Sequence, residues 1–139
     1  MIKRSSLRTL FCGLAVSVLM GGTAMAYGIG YSDYYIKPLN GNSTTNVHDK
    51  VTNLKLITNS VTAISSYDRN RPISYVDFWA EDANGNDLSN SYSQNGGNTT
   101  NIMFKNGVKK GIGDQVQMTL QNHSMTDIDG RVTGSVNFR

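Results

Sequence analysis

From Gln115 to Gln121 the chain alternates without a break. Val116, Met118 and Leu120 are apolar, and Gln115, Gln117, Thr119 and Gln121 are polar. Successive side chains of an extended strand point to opposite faces, so this segment can be half buried only as β-structure. Shorter stretches repeat the pattern: Val76, Phe78 and Ala80; Ile102 and Phe104; Val132, Gly134, Val136 and Phe138. Tyr34, Ile36 and Pro38 share one face of a first strand, and Leu54 and Leu56 one face of a second. Val61 to Ser66 and the polar run Leu88 to Ser93 complete the set. No long window beyond residue 26 carries the apolar stripe of a helix.

The runs are separated by turn dipeptides. Asn40-Gly41, Asn84-Gly85, Asn95-Gly96 and Asn106-Gly107 suit tight turns because both residues tolerate positive φ, and Asp129-Gly130 reads as a fifth marker. The flanks of the evenly spaced Asn84, Asn95 and Asn106 do not repeat, which predicts hairpins and not a solenoid. Seven or eight short antiparallel strands with one buried face each predict an all-β fold, a small β-sandwich. Abundant Asn, Ser, Thr and Gly, with Glu81 as the one glutamate, agree with strands and turns.

The first 26 residues have a different character. Lys3, Arg4 and Arg8 precede an apolar run, Leu10 to Met20, which Gly21-Gly22-Thr23 ends. Ala24-Met25-Ala26 supplies the small-x-small pattern of a cleavage site. This order is that of a signal peptide, cut before Tyr27, and the run is shorter than the ~18 residues a membrane anchor needs. The expectation is a secreted, extracellular protein with a single domain over 27–139. It would keep no stable membrane anchor once residues 1–26 are removed. Cys12 sits near the start of the apolar run and not at its end, so no lipid anchor is expected. The exported part would hold no cysteine and no disulfide, leaving its core to stabilise it. Its charge also balances, at ten basic and ten acidic residues. The excess of basic residues belongs to the leader and does not argue for a nucleic acid partner.

Three segments look familiar together: Tyr34-Tyr35-Ile36-Lys37-Pro38 with Gly41-Asn42, the strand through Phe78-Trp79, and the ending Val132-x-Gly134-x-Val136-x-Phe138. With the signal peptide they resemble a family of small secreted proteins of Gram-positive bacteria known as a domain of unknown function. More distantly, the layout is similar to the lactococcin-type bacteriocins. The resemblance implies a secreted β-sandwich and carries no catalytic residues with it.

One strand face gathers functional side chains. Tyr75, Asp77, Trp79 and Glu81 lie opposite Val76, Phe78 and Ala80. If the second set is core, two aromatics stand outside beside two carboxylates. Flat rings next to hydrogen-bonding acids suit a sugar, which stacks through its C–H face. That use needs an accessible indole, whereas the commoner arrangement has Trp79 covered by a loop or by the other sheet. Elsewhere, Asp82-x-Asn84-x-Asn86 begins like a calcium loop but has Asp87 where glycine belongs and Ser93 where the closing acid belongs, which excludes an EF-hand. His48 and His123 have no second ligand at metal spacing, and no nucleophile-elbow motif is present. The residues therefore predict no metal, no cofactor and no catalytic group. The reading is a non-enzymatic binding or interaction protein whose partner is a cell-surface glycan or another protein. The alternative is a secreted bacteriocin-like competition factor. A pocket holding His48 or His123 beside an aspartate would point to an enzyme instead. Among the tyrosines after the leader, Tyr34 is expected inward and Tyr31 and Tyr35 outward.

Overall fold

The computed structural model describes residues 28–139. The proposed signal peptide, with Ala24 and Ala26 of its cleavage site, lies outside the described residues. The rest is all-β, as its periodicity predicts. Nine strands form two antiparallel sheets: β1 (Ile29–Ile36), β2 (Ser43–Thr44), β3 (His48–Asp49), β4 (Leu56–Ser66), β5 (Val76–Asp82), β6 (Tyr92–Gln94), β7 (Thr99–Met103), β8 (Gln115–Asn122) and β9 (Gly130–Asn137). One sheet has the order β1-β9-β4-β7; the other runs β2-β8-β5-β6, with β3 also paired to β8.

The two sheets close over one apolar core. Val76, Phe78 and Ala80 of β5 and Val116, Met118 and Leu120 of β8 are fully enclosed, as their alternation predicts. They join Ile36, Ile57, Val61, Val132 and Val136 of the opposite sheet in a single cluster. Burial of large aliphatic and aromatic side chains, at about 25 cal/mol per Å² of apolar surface, is what a domain without disulfides relies on.

The connections differ from the hairpins expected. Asn84-Gly85 does turn the chain back on itself, with Gly85 at φ +82° and Leu88 N–H donating to Ala80 O. Asn95-Gly96 instead lies between β6 and β7, and Asn106-Gly107 between β7 and β8. Both carry the chain from one sheet to the other. Asp129-Gly130 is no turn at all: Gly130 opens β9, paired with Ile36 and Ser66. A side chain there would overlap the Ser65 carbonyl oxygen, so glycine serves close approach and not a reversal.

Two further expectations are corrected, one by a β-bulge in β1 and one by the phase in which β4 begins. Tyr31 to Tyr34 of β1 faces only Gly134 to Val132 of β9, and Val61 to Ala63 of β4 faces only Gly134 to Thr133. Each bulge adds one residue, so the inward phase shifts across it. Tyr31, expected outside, is therefore buried in the core, while Ile36 keeps its inward place. In β4 the core face begins with Ile57; Leu54 is exposed and lies before the strand. The segments around Leu56 and Val61 are one strand of eleven residues.

Polar groups trapped by this packing are paired. Tyr31 Oη donates to Asn59 Oδ1 at 2.9 Å, and Asn59 Nδ2 donates to Gln94 Oε1 at 2.8 Å. Gln94 Nε2 returns a bond to the Asn59 carbonyl at 3.2 Å. This chain ties β1 and β4 of one sheet to β6 of the other. Burial pushes the Tyr31 phenol well above its ordinary pKa. Lys50 is a second enclosed polar residue, 1% exposed. Its Nζ donates to Leu56 O at 3.1 Å and lies 5.1 Å from the centre of the Phe104 ring.

Candidate functional site

The strand β5 presents its second set of side chains to the outside of the β2-β8-β5-β6 sheet. Asp77, Trp79 and Glu81 alternate with the enclosed Val76, Phe78 and Ala80, and Tyr75 leads in just before the strand. On the neighbouring β8, Gln121 stands opposite Asp77, Thr119 opposite Trp79 and Gln117 opposite Glu81. Parity along two paired strands thus assembles one polar and aromatic face.

Trp79 is half-buried, between the two arrangements its type allows. Its indole Nε1 donates to Glu81 Oε1 at 2.7 Å, and Gln117 Nε2 donates to Glu81 Oε2 at 3.1 Å. Glu81 is itself nearly enclosed and uses both carboxylate oxygens to fix its neighbours. The ring orientation is therefore set by a charge-assisted bond. Trp79 and Glu81 line an open groove of about 560 Å³. The connection after β5 contributes Asp87, Asn90 and Ser91 to it, Lys105 joins them, and Asn42 and Gln121 lie toward the β2–β8 side. Lys105 Nζ stands 4.0 Å from Asp87 Oδ2.

The other two predicted residues belong to a neighbouring cluster. Asp77 Oδ1 accepts from Ser93 Oγ at 2.5 Å and lies 2.8 Å from His123 Nδ1. Ser93 Oγ is 3.1 Å from the same His123 nitrogen. Tyr75, 47% exposed, has its ring 6.0 Å from that of His123. Both line a smaller cleft of about 150 Å³ with Pro72, Ile73 and Ser124 among its walls. The four predicted residues thus share a face but divide between a groove at Trp79 and a cleft at Tyr75, with Asp77 between them.

Comparison with protein-family models, curated proteins and solved structures returns no match. A serine–histidine–carboxylate relay needs the two partners on opposite ring nitrogens, so that the base takes one proton while the acid holds the other. Here Ser93 and Asp77 meet the same nitrogen, and the Ser93 hydroxyl donates its hydrogen bond to the carboxylate. The three side chains hold one another in place. His48 lies elsewhere, with its ring 4.8 Å from that of Phe138.

The carboxylate of Asp82, at the start of the loop with calcium-like spacing, is consumed locally. Its Oδ1 accepts from the Asn84 and Asn86 backbone amides at 2.9 Å, and its Oδ2 accepts from Asn86 Nδ2 at 2.9 Å. The Asn86 side chain, then its backbone amide, holds the Asp82 carboxyl below its usual range. Among the described residues no three His, Cys, Asp or Glu side chains gather as a metal group.

Sequence reasoning found the β5 face and singled out His123 beside an aspartate as the mark of an enzyme, and the structure does set His123 in a cleft next to Asp77; Ser93, Lys105 and Asn42 were not legible. His123 continues the outward parity of Gln117, Thr119 and Gln121, so its side was legible. Its meeting with Asp77 depends on the β5–β8 register, and that of Ser93 on the β5–β6 register. Lys50 carries no local signal: nothing in its neighbourhood in sequence marks it as buried.

Proposed function

We propose that this chain is exported by its first 26 residues and acts outside the cell as a non-enzymatic binding module for a saccharide of a cell surface. The observation that carries this reading is the Trp79 groove. A half-buried indole, locked by Glu81, lines a groove otherwise rich in amide, hydroxyl and charged groups. An apolar ring set among hydrogen-bonding groups fixes a small ligand in orientation, and the groove volume falls in the range of ligand sites. A sugar ring offers the matching pair, a C–H face for the indole and hydroxyls for the amides and carboxylates. The single-nitrogen geometry at His123 supports binding over catalysis. The balanced charge of residues 27–139 supports a neutral ligand over a nucleic acid.

A glycan array probed with the labelled protein tests this. Binding to a defined group of glycans is expected, and Trp79→Ala should weaken it by tenfold or more while Trp79→Phe retains part of it. Trp79→Ala also takes the indole donor from the enclosed Glu81, so its thermal melt should fall; Trp79→Phe loses the same donor and keeps the ring, which separates lost contact from lost stability. An array without a single retained glycan, or binding indifferent to Trp79→Ala, would remove the reading.

A further inference from the structure

The outer face of β5 holds a second aromatic platform. Tyr75 and Trp79 have the same parity and are four residues apart, about 13 Å at a strand rise of about 3.3 Å per residue. One pyranose ring cannot touch both. Between them lie the outward polar groups of Asp77, Ser93, His123 and Gln121. The cleft at Tyr75 reaches toward the end of the sandwich, where Ile73, Asn122 and Ile128 also line it, and side chains that donate and accept hydrogen bonds separate it from the groove at Trp79.

We infer that the ligand of this face is a neutral chain of linked pyranose rings lying along β5, one ring on Trp79 and a later ring on Tyr75. The inference rests on the saccharide reading of the Trp79 groove and extends it from a single ring to a chain. Charge on the face selects a neutral chain over an acidic one. Glu81 is engaged at both oxygens, Asp77 is met by His123, and Asp87 is opposed by Lys105. Among the described residues no lysine or arginine lines the Tyr75 cleft to attract a carboxylate or phosphate. The middle cluster has a structural part in this arrangement: Ser93, Asp77 and His123 hold one another, so a chain crossing them meets a preformed polar step. Preorganised groups lose little freedom on binding, which favours affinity.

Titration calorimetry with neutral oligomers of xylose, glucose and N-acetylglucosamine, one to six units long, tests the chain. In at least one series the affinity should rise roughly tenfold or more between monomer and tetramer and then level off. Tyr75→Ala should return the tetramer to the affinity of the monomer without changing the monomer. Tyr75→Phe, which keeps the ring, should preserve the length dependence. Affinity that is independent of length, or a tetramer indifferent to Tyr75→Ala, overturns the chain and leaves a single-ring site at Trp79 standing. Failure of every series to bind, together with an empty glycan array, overturns both readings. Because Tyr75 is exposed, an unchanged melt of Tyr75→Ala should separate lost contact from lost fold.

Discussion

Single residues decide where this sandwich tolerates change, and the glycines of its first sheet show how differently two of them behave. Gly134 lies on the central strand β9 where both bulges meet it. A methyl group there would overlap the Ser60 carbonyl oxygen and stand 2.6 Å from Tyr31 Oη. Backbone cannot yield as a flexible side chain can, so Gly134→Ala should destabilise by at least ~2 kcal/mol, the upper part of the range for overpacked sites. Gly30 is exposed on the same sheet, its nearest neighbour 4.0 Å away, and needs no positive φ. Gly30→Ala should be neutral or stabilising by about 0.5 kcal/mol through the unfolded chain. Urea midpoints of the two variants measured side by side check the contrast; equal midpoints would show that β9 shifts to make room. The same scale governs the site. Glu81 fixes the indole of Trp79, so the aromatic surface is held by a residue that itself uses both carboxylate oxygens.

At the level of elements, the strands differ in how many partners hold them. β4 pairs with β7 and β9, and β9 with β1 and β4, whereas β2 and β3 contribute two residues each to the side of β8. Native-state amide exchange should therefore be slowest in β4 and β9, approaching global unfolding, and fastest in β2 and β3. Uniform protection across all nine strands would contradict this. The strands also differ in how much the sequence reveals. β5 and β8 are regular, so counting by twos places Val76, Phe78, Ala80, Val116, Met118 and Leu120 correctly inside. The same count places Tyr75, Asp77, Trp79 and Glu81 on the outside. β1 and β4 are bulged, and counting by twos fails across the extra residue, which is why parity puts Tyr31 on the wrong face. The bulge of β1 has a faint local mark in Asp33, one of the residue types that tolerate its φ of +53°. In β4 the extra residue around Thr62 has none. The candidate site divides the same way. Its β5 half follows from parity, while Ser93 and His123 join it only through registers between strands far apart in the chain.

For the molecule as a whole, two enclosed ionisable groups shape stability in alkali with opposite signs. Lys50 lies inside the sandwich, and burial lowers its pKa to about 8, with Asp114 opposing the shift. In the unfolded chain it would titrate near its ordinary value of about 10.4. Between these values the unfolded state binds a proton that the folded state has released, so stability rises with pH, by up to ~3 kcal/mol. Tyr31 acts in the reverse sense. Its phenol donates to Asn59 inside the core and resists ionisation, while the unfolded phenol loses its proton above about pH 10. From there upward the folded state binds the extra proton, and stability falls. The two together predict a maximum near pH 10, far from the neutral range where stability usually peaks. Lys50→Met should flatten the rising limb and raise stability at pH 7, because it removes a charge that burial disfavours. Tyr31→Phe should flatten the falling limb and lower stability by about 1–3 kcal/mol at neutral pH, because Asn59 Oδ1 then loses its buried donor. Urea midpoints taken from pH 7 to 11 on the parent and both variants resolve the two limbs. A steady decline from pH 7 upward, shared by the parent and Lys50→Met, would mean that the Lys50 ammonium finds solvent and carries no burial penalty.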